Sequence, residues 1–292
     1  YRSTSLYLPG VNTMIRTSLA FKLASDKKRV LDLWEKDKVG FEEWKVNTEF
    51  IFGFSSYRSG TVFLTNILKT FWDEAHFEHE ANVDDYWNYP KVIQNPAIAL
   101  EYIKDFRAKE MWERSTSKGK NIYGEINPFL RIHSPAIKEV FPNAKLFHVI
   151  RDGRDVVRSI MSREILSKKD PLLKKIIPPL NDPYRNQWSK MSRFERICWQ
   201  WQFDNAITRK AAPHLIKFEL FRKDYNYFKE NISDYIGFEL SQKRWEELLK
   251  QPKNITPKYA IPHWTEWTTD QKDAFERICG DEMSQYGYEL NW

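Results

Sequence analysis

The stretch that decides the fold spans residues 50–64 and reads Phe50-Ile-Phe-Gly-Phe-Ser-Ser-Tyr-Arg-Ser-Gly-Thr-Val-Phe-Leu64. An apolar run of strand length leads into a loop of small and polar residues, and an apolar helix pattern follows. A helix that begins in this way presents free backbone N–H groups at the positive end of its dipole. The stretch therefore predicts a cradle for a phosphate-like group, and Arg58 adds a full positive charge to it.

The loop departs from the Walker A pattern of nucleotide-binding kinases and ATPases. That pattern needs Gly-x-x-x-x-Gly-Lys followed by Ser or Thr, but counting from Gly53 places Arg58 and Ser59 where the second Gly and the Lys should stand. The lysine that grips phosphates and the hydroxyl that holds magnesium are both out of register. A P-loop kinase of a small metabolite is therefore the second choice of function. A plain strand-to-helix turn without a ligand is the alternative interpretation of the loop.

A second stretch repeats this architecture and reads Ala144-Lys-Leu-Phe-His-Val-Ile-Arg-Asp-Gly-Arg-Asp-Val-Val-Arg-Ser-Ile-Met161. An apolar run is followed by a charged turn and then by an amphipathic helix pattern. Arg151 is expected at the end of the strand and Ser159 two helical turns further on, so both side chains can converge on one anion. A solvated turn with local ion pairs is the alternative for residues 151–155.

Together the two stretches resemble the paired motifs of the sulfotransferases that use 3′-phosphoadenosine 5′-phosphosulfate (PAPS). Residues Tyr57–Val62 are similar to the motif Pro-Arg/Lys-Ser-Gly-Thr-Thr of that family, and Arg151–Val156 with Ser159 are similar to its motif Arg-Asp-Pro-Arg-Asp-Val and the Ser that follows it. The resemblance covers most of the chain from Thr48 to Tyr288. It implies an α/β fold of the P-loop-NTPase-like sulfotransferase type, with a central parallel sheet flanked by helices on both faces.

The resemblance also implies a role for the residues of both motifs. The cofactor-binding residues that it carries over are Ser56, Tyr57, Arg58, Ser59, Gly60, Thr61, Val62, Arg151 and Ser159. Loop 56–61 would hold the 5′-phosphosulfate while Arg58 steadies the bridging oxygen, and Arg151 with Ser159 would bind the 3′-phosphate, with Arg154 as a weaker candidate. PAPS would be the donor and adenosine 3′,5′-bisphosphate (PAP) the product, and no metal would be needed.

An acceptor hydroxyl is a poor nucleophile until a base takes its proton, so a carboxylate or His is expected beside the sulfur. The run His76-Phe-Glu-His-Glu80 offers three such groups beyond the first helix. In several branches of the family the base is a Glu about twenty residues after the loop Arg, which favours Glu80, then His79, then Glu78. Glu125, near a strand end, is the other contender. A solvated loop without a catalytic role is the alternative for 76–80.

Composition and net charge limit the classes of protein to which the chain can belong. The chain has 292 residues, 41% of them hydrophobic, with 12 Trp, 14 Tyr and 19 Phe, so it can bury a sizeable core. The net charge of +6 suits a partner with several negative charges. A nucleic-acid-binding module is the rival class, but the Lys and Arg residues are scattered rather than gathered with aromatic residues on one element, and no nucleic-acid partner is expected.

The cysteines and the apolar runs narrow the class further. Cys198 and Cys279 are too few and too far apart for a disulfide framework, so each is expected to be a small buried residue. No Cys or His cluster has the spacing of a zinc site. No apolar run is long enough to span a bilayer or to act as a signal segment, so a cytoplasmic protein is expected. The acceptor is expected to be a small molecule, a glycan or a lipid.

The order of the predicted elements indicates one α/β domain over residues 48–292, with residues 1–47 as a helical N-terminal extension packed on it. Strands are expected at Thr48–Phe54, Asn121–Ile126, Lys145–Ile150 and His214–Phe218. Since these alternate with helical patterns, a parallel sheet is expected, with the ligand at the carboxyl ends of its strands. The stretch Glu164–Arg193 is rich in Lys and Pro and is expected to be a long loop or lid.

Overall fold

The structure is a computed structural model that describes residues 26–250, 256 and 258–292. Its centre is a five-stranded sheet with the order β2-β3-β1-β4-β5, and every neighbouring pair is parallel. The strands are β1 (Glu49–Ser55), β2 (Ala75–Glu78), β3 (Ile122–Ile126), β4 (Lys145–Ile150) and β5 (His214–Lys217). The predicted α/β class with a central parallel sheet is confirmed.

The sequence predicted four of these strands, with every bound within one residue of the observed one. It missed β2, an edge strand of four residues that pairs with β3 from Ala75 to Glu78. A strand of four residues with Phe77 as its one large apolar side chain is too short to show the alternation of apolar and polar residues that predicts a strand. Residues 76–78 are thus held in a ladder, and the solvated-loop alternative does not apply to them.

Alternate side chains of β1 enter apolar clusters on the two faces of the sheet. Phe50, Phe52 and Phe54 belong to one cluster, and Ile51 belongs to the other. At Gly53 a Cβ atom would lie 2.4 Å from the ring of Phe147, so the glycine permits close packing between β1 and β4. Parallel strands buried on both faces need helices on both faces, and the structure provides them.

The helices follow the strands in the order of an α/β fold. The described α-helices are α1 (26–36), α2 (Lys38–Asn47), α3 (Thr61–Phe71), α4 (Asp84–Trp87), α5 (Tyr89–Gln94), α6 (Ala97–Tyr102), α7 (Ala108–Thr116), α8 (Ser134–Val140), α9 (Gly153–Met161), α10 (Arg193–Ala211), α11 (Phe218–Phe221), α12 (Tyr225–Phe228), α13 (Asp234–Ile236), α14 (Gln242–Leu249) and α15 (Thr269–Gln285). Turns of 3₁₀-helix lie at Pro128–His133 and Trp264–Glu266, and π-helical turns lie at Ile103–Arg107 and Lys229–Ser233. In the described part of the chain no helix combines the length and the apolar character needed to cross a bilayer.

The N-terminal helices pack on the sheet domain. The ring of Phe41 in α2 lies 5.8 Å from that of Trp112, and Trp44 lies 4.9 Å from Phe50 of β1. Residues 1–25 of the expected extension lie outside the described residues. The division at residue 47 therefore stays a prediction.

The expected long loop connects α9 to α10 as a series of turns, without a helix or strand over residues 162–192. It is nevertheless well packed, because Leu172, Ile176, Trp188 and Met191 are buried in the larger apolar cluster. At its end, Arg193 donates to the backbone carbonyls of Ile160, Met161, Arg163 and Ile165. These contacts fix the path of the segment beside α9.

Candidate active site

The loop between β1 and α3 has the backbone geometry of an anion cradle. Gly60 is the N-cap of α3 in the left-handed region, with φ 82°, and no side chain caps the first turn. The N–H groups of that turn are therefore available to an anion. A Cβ atom at Gly60 would lie 2.5 Å from the ring of Phe218, so both conformation and packing require glycine here. Arg58 is also left-handed, with φ 66°.

Arg58 lies against Ser159 of the second motif. Its Nε donates to the Ser159 hydroxyl at 3.0 Å, and its Nη2 donates to the Thr256 hydroxyl at 3.2 Å. The Ser159 and Thr256 hydroxyls are themselves 3.1 Å apart. Three segments that are distant in sequence thus meet at one point, and nothing in the sequence pointed to Thr256.

Arg151 joins the two motifs from the end of β4. Its Nη1 donates to the Arg58 carbonyl at 2.9 Å, its Nη2 donates to Asp155 at 3.1 Å, and its guanidinium lies 4.8 Å from the centre of the Phe218 ring. Its Nε is buried without a hydrogen-bond partner. A buried donor without a partner costs free energy, which an incoming anion would recover.

The cations of the cradle repel one another. Burial and the charges of Arg163 and Arg151 lower the pKa of Arg58 to about 10. Burial and the charge of Arg151 also lower the pKa of Arg222. Each of these groups would hold its proton more tightly beside a negative charge, which is the electrostatic character of an anion-binding site.

Other residues of the two motifs have side chains directed elsewhere. The Ser56 and Ser59 hydroxyls lie 3.3 Å apart inside the loop, whereas the ring of Tyr57 is buried with Arg131 stacked on it at 4.2 Å. Val62 is half-buried on α3. Arg154 binds Asp152 through Nε and Nη2 and stacks on Trp264 at 4.0 Å. These contacts engage the Arg154 guanidinium at the turn after β4.

His79 contacts the loop from the carboxyl end of β2. Its Nε2 lies 3.0 Å from the Thr61 hydroxyl, at the first residue of α3. Burial and the charge of Lys69 lower the pKa of His79 to about 4. The imidazole is therefore neutral near pH 7 and is hydrogen-bonded to a side chain of the cradle.

Glu80 follows directly and has two unusual properties. Its backbone is left-handed, with φ 50°, which strains a residue other than glycine. Burial raises the pKa of its carboxyl group to about 7, and no cation or hydrogen-bond donor contacts that group among the described residues. A carboxyl group of this kind is suited to accept a proton near neutral pH.

The third group of the run, Glu78, is occupied. It binds His76 at 3.0 Å and Arg114 at 3.2 Å. Burial by itself would raise its pKa, but the hydrogen bond from His76 and the charges of Arg114 and Arg107 outweigh burial and lower the pKa to about 2. Both carboxylate oxygens of Glu78 are thus engaged at the end of β2.

Glu125 lies in a fully buried network on β3. Its carboxylate accepts from Arg107, Tyr123 and Asn127. Arg107 also binds Asp85, whose pKa is raised to about 7 by burial against the opposing effect of Arg107. Both carboxylate oxygens of Glu125 are thus engaged in this network.

The two cysteines are buried, as expected, and unpaired. The Cys279 thiol donates to the Cys198 carbonyl at 3.4 Å. Across residues 26–250, 256 and 258–292, no three His, Cys, Asp or Glu side chains are grouped in a way that could hold a metal ion.

Solved sulfotransferases are similar to this chain. The sulfotransferase from Alicyclobacillus acidocaldarius has 13% identity and a TM-score of 0.47, over 82% of this chain and 96% of its own. One from Mycobacterium tuberculosis has 13% identity and a TM-score of 0.48, over 85% and 81%. A mouse sulfotransferase complexed with PAP has 13% identity and a TM-score of 0.48, over 86% and 91%.

These solved proteins are of the kind that the two motifs resemble. No family model matches the sequence, and no curated protein matches it.

Proposed function

We propose that this protein is a sulfotransferase that moves a sulfuryl group from PAPS to a hydroxyl or amine. The observation that carries the proposal is the meeting of Arg58 and Ser159, 101 positions apart in sequence, at 3.0 Å beside an uncapped helix N-terminus. The two motifs would then bind opposite ends of one nucleotide. Arg suits this work because its planar fork binds phosphate oxygens at two points and keeps its charge.

The donor would bind where the side chains of Arg58, Ser159 and Thr256 meet. The backbone of loop 56–61 and the Thr61 hydroxyl would hold the 5′-phosphosulfate, with Arg58 beside the bridging oxygen. Arg151 would bind the 3′-phosphate through its Nε, which is buried without a partner, together with the Ser159 hydroxyl. The cation repulsion around Arg58 and Arg151 supports this assignment, because the bound anion would relieve it.

The reaction would be one in-line displacement at sulfur. The acceptor oxygen or nitrogen forms the new bond to sulfur while the bond from sulfur to the bridging oxygen breaks, and PAP leaves with that oxygen. The acceptor proton passes to a carboxylate, and charge that develops on the bridging oxygen is stabilised by Arg58 and by the N–H groups of the loop.

Glu80 would be the base. Its carboxyl group has a pKa of about 7 and no described partner, whereas Glu78 and Glu125 are both engaged in buried contacts. His79 would hold the Thr61 hydroxyl in place, since its ring already lies 3.0 Å from that oxygen and is neutral at pH 7. Glu80 and His79 would thus divide the roles of base and orienting group.

A small-metabolite kinase is the alternative, but the loop does not favour it. Residues 55–62 contain no Lys, and Arg58 lies where Walker A loops have Gly. The test is to incubate the protein with an acceptor mixture and either radiolabelled PAPS without metal or γ-labelled ATP with magnesium. Label transferred from PAPS supports the proposal, and label transferred from ATP alone would replace it with the kinase.

A further inference from the structure

The segment 163–190 holds most of the net charge of the chain. It has seven Lys or Arg residues against three Asp or Glu, a net charge of +4 out of +6 for all 292 residues. The excess lies in one continuous stretch of sequence, and the fold packs that stretch on the larger apolar cluster.

The acidic residues of this segment pair with one of its five lysines in the part of the chain that the structure describes. Asp170 is buried and accepts from the backbone of Leu166 and Leu172. Asp182 accepts from the Trp199 indole at 2.8 Å, and Glu164 lies 3.4 Å from Lys169. Exposed ammonium groups with no carboxylate within ion-pair distance among the described residues remain at Lys168, Lys174, Lys175 and Lys190.

These lysines lie on a preformed surface. Leu172, Ile176 and Trp188 anchor the segment in the core, so the lysines beside them in sequence are directed outward. The Ile177 carbonyl accepts from Gln94 of α5 at 2.6 Å, and Arg185 donates back to Gln94 at 3.0 Å. Little conformational entropy would be lost when a partner binds such a surface.

The surface adjoins the candidate active site. The charge of Arg163, at its start, is close enough to lower the pKa of Arg58. Further along, Asp170 accepts from the Tyr86 hydroxyl at 3.3 Å. The ring centres of Tyr86 and Phe129 are 5.2 Å apart, and those of Phe129 and Tyr57 are 6.0 Å apart. A chain of contacts thus leads from Asp170 to the loop that contains Tyr57.

We propose that segment 163–190 binds the acceptor, and that the acceptor is an acidic oligosaccharide or polysaccharide. This inference rests on the proposed sulfotransferase function. In the proposed function, Arg58, Arg151 and the loop N–H groups bind the negative charges of the donor. The four lysines are therefore available to bind a second anion. Four exposed ammonium groups on one packed segment suit a partner with repeated carboxylates or sulfates.

The chemistry of the site favours sugar over an acidic peptide. Sugar hydroxyls are much weaker acids than a Tyr phenol, so they need a base such as Glu80 more. Beside Tyr86, the Trp87 indole is 40% exposed and offers a flat apolar face on which a sugar ring can stack. Electrostatic attraction of a polyanion to the lysines would also speed its encounter with the site.

The first test is binding without the donor. A fluorescent polysaccharide of alternating uronic acid and N-acetylhexosamine is compared with its carboxyl-reduced form, which keeps the hydroxyls and loses the charge. The wild type is expected to bind the acidic form about tenfold more tightly, and this preference should shrink between about 50 mM and about 300 mM salt. Equal binding of the two forms would overturn the proposal.

The second test replaces the lysines. The variant Lys168→Ser, Lys174→Ser, Lys175→Ser, Lys190→Ser is compared with the control Lys36→Ser, Lys104→Ser, Lys223→Ser, Lys243→Ser, which removes the same charge from other exposed positions. The first variant should bind the acidic polymer roughly tenfold more weakly, and the control less than about threefold more weakly. Equal loss in both would show that only overall charge matters and would reject the surface. Matching melting temperatures would confirm that both variants fold.

The third test is transfer from labelled PAPS to the acidic polysaccharide, to its reduced form and to an acidic Tyr-containing peptide. Label on the acidic polysaccharide, with a KM raised in the first variant and an unchanged kcat, supports the proposal. Label on the peptide instead, or polymer binding without transfer, overturns it. Calorimetry with PAP separates the proposed sulfotransferase function from the proposed acceptor surface. Absence of PAP binding to the wild type would refute the sulfotransferase function. The polysaccharide-binding tests would still show whether the lysines bind an acidic polymer.

Discussion

The Nε2 atom of His79 lies 3.0 Å from the hydroxyl of Thr61, and this contact ties the end of β2 to the first turn of α3. It brings the predicted base region to the predicted anion cradle across 18 positions of sequence. Because β2 is an edge strand next to β3, rather than a free loop, the position of Glu80 is fixed relative to the cradle.

Replacing Glu80 with Gln should lower kcat by at least about a hundredfold, because the acceptor would lose its base while the shape of the site is kept. In the wild type, kcat/KM should rise with pH through about 7 and then level off, since the carboxyl group must be ionised to accept a proton. In the variant, kcat/KM should not rise with pH through about 7. Its affinity for PAP, measured by calorimetry, should match that of the wild type. If the rising limb persists in Glu80→Gln, another group is the base.

The same substitution should stabilise the protein at high pH. A raised carboxyl pKa means that the folded state binds the Glu80 proton more tightly than the unfolded state does, so folding stability falls as pH rises from about 4.5 to about 7. Above this range the variant should be more stable than the wild type by about 1–3 kcal/mol, and near pH 4 the two should agree. Urea unfolding at pH 4 and pH 8 measures the difference. Equal stability at both values would mean that burial does not perturb the carboxyl group.

Replacing Arg151 with Ala should weaken PAP binding by roughly thirtyfold, about 2 kcal/mol, because a charge-assisted contact to the 3′-phosphate is lost. Affinity for adenosine 5′-phosphate should scarcely change, since that ligand lacks the 3′ group. Arg244→Ala serves as a control, because Arg244 is exposed on α14 and stacks on Phe71 at 5.2 Å. An equal loss of affinity for PAP and for adenosine 5′-phosphate would show that Arg151 does not bind the 3′-phosphate.

Replacing Gly60 with Ala should both destabilise the fold and weaken PAP binding. The alanine would have to adopt φ 82°, and its Cβ would lie 2.5 Å from the Phe218 ring. The free energy of unfolding is therefore expected to fall by about 2–4 kcal/mol. Gly119→Ala is the matched control, because it has φ 62° but no atom within 4 Å of the new Cβ. It should cost only about 1 kcal/mol and leave PAP binding intact. Similar effects in both variants would show that the contact with Phe218 is unimportant.

Replacing Arg154 with Ala separates structural support from ligand contact. Its guanidinium binds Asp152 and stacks on Trp264, so its loss should lower stability by about 2–3 kcal/mol. At a temperature where the variant is folded, PAP affinity should fall by less than about fivefold, much less than for Arg151→Ala. A larger loss than that of Arg151→Ala would show that Arg154 binds the nucleotide directly.

Much of the sheet was predictable because local pattern and burial agree in it. The apolar runs before Ser56 and before Arg151 form central parallel strands, and each is followed by a helix with a clear period. The strand β2 was not predictable, because four residues with one large apolar side chain are stabilised by pairing with β3 rather than by their own pattern.

The sequence by itself determined four of the five parallel strands and the two loops at their carboxyl ends, because short-range periodicity and turn chemistry specify these elements locally. Only the tertiary structure decided which carboxylate is free, since Glu78, Glu80 and Glu125 differ in their partners and burial rather than in their residue type. Likewise, the meeting of Thr256 with Arg58 and the outward display of the lysines in 163–190 depend on contacts between distant segments. Residue type fixes what a side chain can do, whereas packing fixes its surroundings, and the surroundings set its charge and its role.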